Sequence, residues 1–263
     1  MKLKKLTVTV LSASIFISGC GAKGKNPQDP YEPINRRIYA FNTAIDTAIY
    51  QPVATFYNFA LPWPVREMVS NFYSNIDMLP TVANDFLQFE WQYAGKDIWR
   101  FLINSTLGIG GLFDVAKHMG MPKHHLDLGL TFARWSGTNY SPYIVIPFLG
   151  PSTIRDTFGY TYDYFLFTPY PYIQPYYIQY ALYAGNFVQK RASLMENEKA
   201  IEAAALDRYV FERDAYLQYR NAQMEWNKNG SDKDNYVEAA NVKTKDSKPK
   251  STGKSDDKDP YVE

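Results

Sequence analysis

Residues 33–52 read PINRRIYAFNTAIDTAIYQP, and this stretch shows the pattern that decides the fold. Its apolar residues recur every three or four positions, the spacing that places side chains on one face of an α-helix. They are Ile34, Ile38, Phe41, Ile45 and Ile49. Pro33 suits the first turn of a helix, and Pro52 is expected to end it. The stretch therefore predicts one amphipathic helix bounded by two prolines.

Similar short segments follow along the chain and predict an all-α fold. We expect helices over Val53–Ala60, Val65–Phe72, Thr81–Gln88, Trp91–Asn104, Ser152–Phe158, Tyr176–Asn197 and Lys199–Asn227. Ser152 is the expected N-cap of its helix, and Gly108, Gly110 and Gly111 mark a turn. Residues Tyr143–Pro147 are compatible with an extended chain, but the flanking prolines argue against a sheet strand.

The N-terminus has the pattern of a secretory leader. A basic head precedes an apolar stretch of about a dozen residues, which is too short to cross a bilayer. Ile17-Ser18-Gly19 then precedes Cys20, the one cysteine of the chain, as in the lipobox of bacterial lipoproteins. We expect a signal peptide over residues 1–19, a lipidated Cys20 and a tether over residues 20–28. Gly21, in place of an Asp that would retain the protein at the inner membrane, favours the outer membrane; the alternative is an ordinary signal peptide with an incidental cysteine.

Composition excludes several classes of protein. The chain has 263 residues, of which 46% are hydrophobic and 21% charged, so most of it folds. A mean hydropathy of −0.37 excludes a polytopic membrane protein. The net charge of +1 offers no basic field for nucleic acid. One cysteine excludes an intrachain disulfide and a cysteine-based zinc cluster.

Two segments differ from the rest in composition. Residues 158–187 contain 13 aromatic residues, three prolines and one charge, Asp163. Because tyrosine prefers the headgroup level of a bilayer, this segment favours interfacial membrane contact; a tyrosine-rich core and a sugar-binding surface are the alternatives.

Residues 228–263 are charged and poor in apolar residues, and we expect a disordered tail. The tail repeats KDNYVE as KDPYVE, either by chance or as a docking motif.

A search for catalytic and metal-binding patterns gives no positive result. His118, His124 and His125 are the only histidines; with Asp114 and Asp127 they could hold a metal, but surface histidines in a loop are the preferred interpretation. Five carboxylates show no spacing that singles out an acid/base pair: Asp77, Asp85, Asp97, Asp114 and Asp156. We expect no enzyme, no catalytic residue, no metal and no cofactor, which favours binding or transport.

Several strings resemble the MlaA (VacJ) family of lipoproteins. They are Asp29–Glu32, Asn35-Arg36, Tyr39–Asn42, Val69–Phe72, Arg100–Gly108, Gly111–Ala116, Ser141–Tyr143, Pro147–Asp156, Asp207–Tyr209 and Arg213–Arg220. The resemblance runs from about Asp29 to Arg220, so we expect a family domain over residues 29–227. The tail lies outside it.

The resemblance implies an outer-membrane lipoprotein on the periplasmic face. It implies a helical ring within the inner leaflet, with a central amphipathic channel through which misplaced phospholipids leave the outer leaflet. A soluble periplasmic carrier resembling MlaC then receives them, and trimeric porins are further partners. The rivals are a lipoprotein that scaffolds porins or the envelope, and a phospholipase or acyltransferase.

The resemblance also implies candidate gating residues. A mobile hairpin after Gly108, Gly110 and Gly111 is implied to regulate the channel. Phe41 and Asn42 lie in a matching string, and Asn42 is one step, about 100°, around the helix from the apolar stripe that includes Phe41. An apolar ring beside an amide suits a helix between membrane and channel; the alternative is that Phe41 is core and Asn42 caps or packs locally.

Overall fold

The structure is a computed structural model that describes residue 24 and residues 26–228, with side chains described throughout except at residues 196–204. The helices are α1 (Glu32–Ile45), α2 (Gln51–Ala60), α3 (Trp63–Ile76), α4 (Met78–Leu87), α5 (Trp91–Thr106), α6 (Val115–His118), α7 (Leu128–Ser136), α8 (Ile154–Phe167), α9 (Tyr176–Ala204) and α10 (Arg208–Lys228). A π-helix covers Asp46–Tyr50, and a 3-10 helix covers Tyr170–Tyr172. Strands β1 (Tyr143–Ile146) and β2 (Gly150–Thr153) form an antiparallel hairpin. The fold is mostly helical, as expected.

Pro52 does not end the first helix, contrary to expectation. Helix α1 passes into the π-helix, and α2 begins at Gln51 with Pro52 in its first turn. A proline inside a regular α-helix clashes with the carbonyl of residue i−4 and lacks the N–H of that turn. The wider π-turn, in which Gln51 N–H donates to the carbonyl of Asp46, removes this conflict.

The expectation that residues 143–147 form no sheet strand is wrong as well. In the hairpin, Pro151 of β2 lies opposite Val145 of β1. The N–H of Val145 points away from β2 and donates to Oδ1 of Asn35 on α1 at 3.0 Å. Pro151 therefore occupies a pair in which the strands exchange no backbone hydrogen bond, so its missing N–H costs nothing there.

Several helix boundaries differ from those expected. Thr153, rather than Ser152, caps α8, because its Oγ1 accepts from the N–H of Asp156 at 3.1 Å. The break between the last two long helices falls at residues 205–207 instead of residue 198, since α9 continues to Ala204. Helix α8 also continues to Phe167, nine residues beyond the expected Phe158. The other expected helices are confirmed, with ends that differ by no more than four residues. Among the described residues, no helix combines the length and the apolar character needed to cross a membrane.

A buried ionic cluster joins α7, α8 and α10. Arg220 on α10 is 8% exposed and contacts both carboxylate oxygens of Asp127, at 2.7 and 3.0 Å. It also donates to both oxygens of Asp156, at 2.7 and 3.1 Å. Burial opposes the charges, but the attraction of Arg220 outweighs it and lowers the pKa of Asp127.

Gly129 and Gly159 let α7 and α8 approach each other closely, since a Cβ on Gly159 would lie 2.3 Å from the nitrogen of Gly129.

We expect Arg220→Met to lower the free energy of unfolding by about 3–5 kcal/mol, because the buried Asp156 and the partly buried Asp127 lose the guanidinium that they share. Arg208→Met is the matched control, since Arg208 forms a partly exposed i,i+4 pair with Glu212 worth less than about 1 kcal/mol. Denaturant unfolding followed by circular dichroism measures both. The Arg220 effect should shrink as the pH falls and the carboxylates become protonated; equal effects of the two variants would contradict this.

Candidate functional site

Helix α5 is amphipathic in the reverse of the usual sense. Its exposed side carries Trp91, Ile98, Trp99 and Leu102. Its buried side carries a polar stripe with helical spacing of three and four residues: Asp97, Arg100 and Asn104. Four of the five tryptophans of the chain are exposed, and two of these four lie on α5. A helix of a water-soluble domain buries its apolar stripe instead, so this side of α5 suits an apolar surrounding.

The polar stripe of α5 holds the segment of residues 114–124 along its length. Nδ2 of Asn104 donates to Oδ1 of Asp114 at 3.0 Å, and the N–H of Ala116 donates to Oδ1 of Asn104 at 3.0 Å. Arg100, one turn earlier, pairs with Asp114 at 2.5 Å and donates to the carbonyl of Met121. This part of the chain is therefore fixed by side chains of α5 at successive turns.

His124 continues this contact at the next turn and corrects an expectation. It is 10% exposed, although a surface position was expected, and Nδ1 lies 2.7 Å from Oδ2 of Asp97. Nε2 lies 3.4 Å from Oδ1 of Asp85 on α4. Burial opposes the imidazolium, but hydrogen bonding to the two carboxylates outweighs it and raises the pKa of His124 to about 9. Burial raises the pKa of Asp85 to about 6.

Asp85, Asp97 and His124 are the one group of described residues whose side chains lie close enough to hold a metal ion together. One possible ligand atom of each lies within 4.8 Å of the other two. The two carboxylates face opposite nitrogens of the ring, however, and one metal ion cannot bind both nitrogens. The arrangement instead suits an imidazolium that bridges two carboxylates. The metal set considered from the sequence, with Asp114 and Asp127, is not brought together: Asp114 pairs with Arg100, and His125 faces Asp127 at 3.7 Å.

The glycine turn follows α5 directly, as expected. Ile109, Gly110 and Gly111 have φ values of 53°, 69° and 89°, a run of left-handed backbone in which glycine is favoured. Gly111 also packs on Asn75 of α3, and a Cβ there would lie 2.7 Å from the Asn75 side chain. A Cβ on Gly108 would meet the carbonyls of Phe113 and Asn104. Gly110 has open space around it, so its requirement is for backbone angle alone.

Phe41 and Asn42 both contact the β1–β2 hairpin. Nδ2 of Asn42 donates to the carbonyl of Ile146 at 2.9 Å, and Oδ1 accepts from the N–H of Phe148 at 2.8 Å. The ring of Phe41 is 44% exposed and packs edge-to-face on Phe148, with centroids 5.2 Å apart. The alternative of a core Phe41 and a locally capping Asn42 is wrong, because Phe41 is exposed and both contacts span more than 100 residues of sequence.

The aromatic segment presents most of its rings outward. The exposed members are Phe158, Tyr160, Tyr162, Phe165, Tyr172, Tyr176, Tyr177 and Tyr180. Helix α8 is reversed like α5, since it buries Asp156, Gly159 and Asp163. Asp163 accepts from Asn84 at 2.9 Å and from the N–H of Leu128 at 2.7 Å. The alternative of a tyrosine-rich core is therefore wrong for most of the segment.

Known proteins resemble this chain in sequence and in fold. The model of the MlaA lipoprotein family matches residues 27–223. The chain belongs to the MlaA lipoprotein family. A family member from Escherichia coli, named intermembrane phospholipid transport system lipoprotein MlaA, is 32% identical over 230 residues that cover 83% of this chain and 87% of that protein. The protein of the same name from Haemophilus influenzae is 29% identical, with 86% and 92% covered.

A solved structure agrees with this assignment. It comes from a study described as the structural basis for maintenance of bacterial outer membrane lipid asymmetry. The TM-score is 0.64 at 28% sequence identity, and the match covers 73% of this chain and 96% of the solved chain. Cys20, the expected lipid anchor, lies outside the described residues.

The His124 bridge predicts a pH dependence of stability. Because the pKa of His124 is about 9 in the folded chain and about 6.5 when unfolded, its contribution is complete below about pH 6.5 and is lost as the pH rises through 9. We expect a loss of about 3 kcal/mol over this range. Urea unfolding in detergent at a series of pH values measures it.

The controls for this prediction use the other histidines. His118→Gln, at an exposed position, should keep the wild-type pH dependence. His124→Gln should be less stable at pH 6.5 and show little further loss up to pH 9. A His124→Gln curve parallel to that of wild type would show that the bridge is uncharged.

Proposed function

We propose that this chain is an outer-membrane lipoprotein that removes mislocalised phospholipids from the outer leaflet and passes them to a periplasmic carrier. This retrograde transport would maintain the lipid asymmetry of the outer membrane. The single observation that carries the proposal is the reversed amphipathicity of α5 and α8, which places charged side chains inside and aromatic side chains outside. The names of the Escherichia coli and Haemophilus influenzae family members support the same activity.

The proposed position in the membrane follows from the two kinds of surface. A phospholipid has an apolar part that must stay out of water and a charged headgroup that is costly to place in hydrocarbon. Exposed Trp91, Trp99 and Tyr180 suit the interfacial level of a leaflet. We propose that the helical domain, residues 29–227, lies in the inner leaflet as a ring around an amphipathic channel, with Cys20 as the acyl anchor on the periplasmic face.

Further elements of the proposal rest on family resemblance. A soluble carrier resembling MlaC would take lipid from the channel, and trimeric porins would associate with the domain. Residues 1–19 would be removed as signal peptide, residues 20–28 would be the tether, and residues 228–263 would form a tail outside the domain. We propose no enzymatic activity.

Transfer of an intact lipid tests the function. The purified lipoprotein, reconstituted in vesicles with a phospholipid labelled in an acyl chain, should deliver label to a soluble carrier as unmodified phospholipid. Release of free fatty acid or lysophospholipid would favour the phospholipase. Porin binding without transfer would favour the scaffold. In cells, Cys20→Ala should abolish labelling by palmitate and expose phospholipid on the cell surface, as deletion of the protein should; transport by a protein that was never acylated would refute the role of the anchor.

We further propose that Phe41 and Asn42 gate the channel through the hairpin, and that the glycine turn with residues 110–125 regulates it. Asn42→Ala removes two hydrogen bonds to the hairpin tip, at a cost of roughly 1–3 kcal/mol, and should leave a folded protein with altered lipid flux. Thr43→Ala, on the same helix, loses only a bond to the carbonyl of Tyr39 and is the control. A stable Asn42→Ala protein with wild-type flux would rule out gating here.

A further inference from the structure

A small polar recess lies between α3, α4 and α5, beside the segment of residues 114–124. Its lining comes from α3, the first residue of α4, the polar stripe of α5 and Asp114, and all but one of the lining side chains are polar. They are Asn71, Ser74, Asn75, Met78, Arg100, Asn104 and Asp114. The recess has room for about one water-sized group, so it would hold one oxygen of a larger molecule whose remainder stays outside.

Two deeply buried side chains of the recess have hydrogen-bonding atoms with no partner among the described residues. Arg100 is 3% exposed, and its Nε–H has no acceptor, although both Nη atoms are bonded. Asn75 is 5% exposed, and its Oδ1 has no donor. A buried polar group without a partner costs about 1–3 kcal/mol, so each such atom calls for an explanation. The Nε–H of Arg100 in particular calls for an oxygen acceptor inside the recess.

A cation without a counter-ion among the described residues lies next to the recess. Nζ of Lys123 donates to Oγ of Ser74, and Lys123 forms no ion pair within residues 26–228. The two neighbouring carboxylates are already paired, Asp114 with Arg100 at 2.5 Å and Asp77 with Lys190 at 3.3 Å. Three cations, namely Arg100, Lys123 and Lys190, therefore face two carboxylates. The uncompensated positive charge favours an anionic ligand.

Lys123 is exposed to solvent, yet surrounding protein lowers its pKa chiefly by desolvation. Exposure together with desolvation is typical of a side chain on a concave surface, which solvent reaches from one side only. The ammonium lies beside the recess, because it donates to the hydroxyl of Ser74, which lines it.

We propose that this recess binds the phosphate of a phospholipid headgroup, with one phosphate oxygen on the Ser74 hydroxyl, the Arg100 Nε–H and the Lys123 ammonium. A charge-assisted contact of this kind is stronger than a neutral hydrogen bond. The proposal rests on the proposed function, since it names where the transported lipid is held by its headgroup.

The test compares ligands that share parts of a phospholipid. Dihexanoyl-phosphatidylethanolamine below its critical micelle concentration, dihexanoylglycerol and inorganic phosphate are titrated into the purified full chain by calorimetry. We expect Lys123→Gln to weaken binding of the phospholipid at least tenfold and to leave dihexanoylglycerol unaffected. Lys228→Gln, which removes an exposed lysine at the end of α10 and does not touch the lining of the recess, is the matched control and should bind like wild type. Ser74→Ala provides a second variant with no change of charge and should weaken binding less.

Each outcome decides the proposal. If wild type transfers phospholipid to a carrier but Lys123→Gln and Ser74→Ala bind the lipid as tightly as wild type, the headgroup site is refuted and the transport function stands. If wild type neither binds nor transfers phospholipid, both are refuted. If inorganic phosphate binds as tightly as the lipid and depends on Lys123, the recess is a site for free phosphate and the headgroup assignment is wrong. Recovery of lipid binding in Lys123→Arg would confirm the need for a cation.

Discussion

The pairing of buried charges is the constraint on which this structure depends, and Arg220 shows it most clearly. Asp127 caps α7 by accepting from the N–H of Leu130, and Asp156 lies in the first turn of α8. Both carboxylates are thereby placed at helix N-termini, where the peptide dipoles favour negative charge. Arg220 neutralises both from α10, so one guanidinium sets the relative positions of three helices. Asp29 plays a similar part near the N-terminus, where it contacts Asn35 at 2.8 Å and Tyr209 at 2.5 Å.

Such a core explains why the fold tolerates so much aromatic surface. When the interior is held by hydrogen bonds and ion pairs, the apolar side chains are not needed there and can face outward. The cost is that every buried polar group needs a partner, and the polar stripe of α5 finds most of its partners in residues 114–124, although the Nε–H of Arg100 has none among the described residues. The same contacts fix that segment, so any movement of it must break them together.

The elements of this fold were largely predictable from the sequence, because the spacing of apolar residues identifies a helix whichever way its apolar face points. Whether a given helix face lies inside or outside the fold was less predictable. Asp97, Arg100 and Asn104 have the spacing of one helix face, but a polar stripe on a helix normally faces water. His124 was misjudged for the same reason. Its partners Asp85 and Asp97 lie far away in sequence, and the one available signal was that Asp97 belongs to the polar stripe.

Prolines misled the sequence interpretation in a different way. Pro52 indicated the end of a helix, and the prolines around residues 143–147 argued against a strand, since proline cannot donate a backbone hydrogen bond. In each case the chain supplies a place where that donor is not required: the first turn of α2 after a π-turn, and a pair of hairpin positions without backbone bonds. Such compensation depends on distant residues. Asn35, 110 residues from Val145, takes the N–H that makes the Pro151 position acceptable.

The direction of the polar and apolar faces also bears on how a lipid would move. A phosphate that leaves water for hydrocarbon loses its hydration, and the cost of burying an unpaired charge is large. In the proposed site, Ser74, Arg100 and Lys123 would replace part of that hydration with fixed donors, while exposed rings such as those of Trp99 and Phe158 would stay beside acyl chains. Headgroup and chains would then each remain in a suitable environment, so no step of the passage would expose both to the wrong one. The proposed transport would thus depend on two kinds of surface, a polar one for the headgroup and an apolar one for the acyl chains, and on their lying close enough to serve one lipid at once.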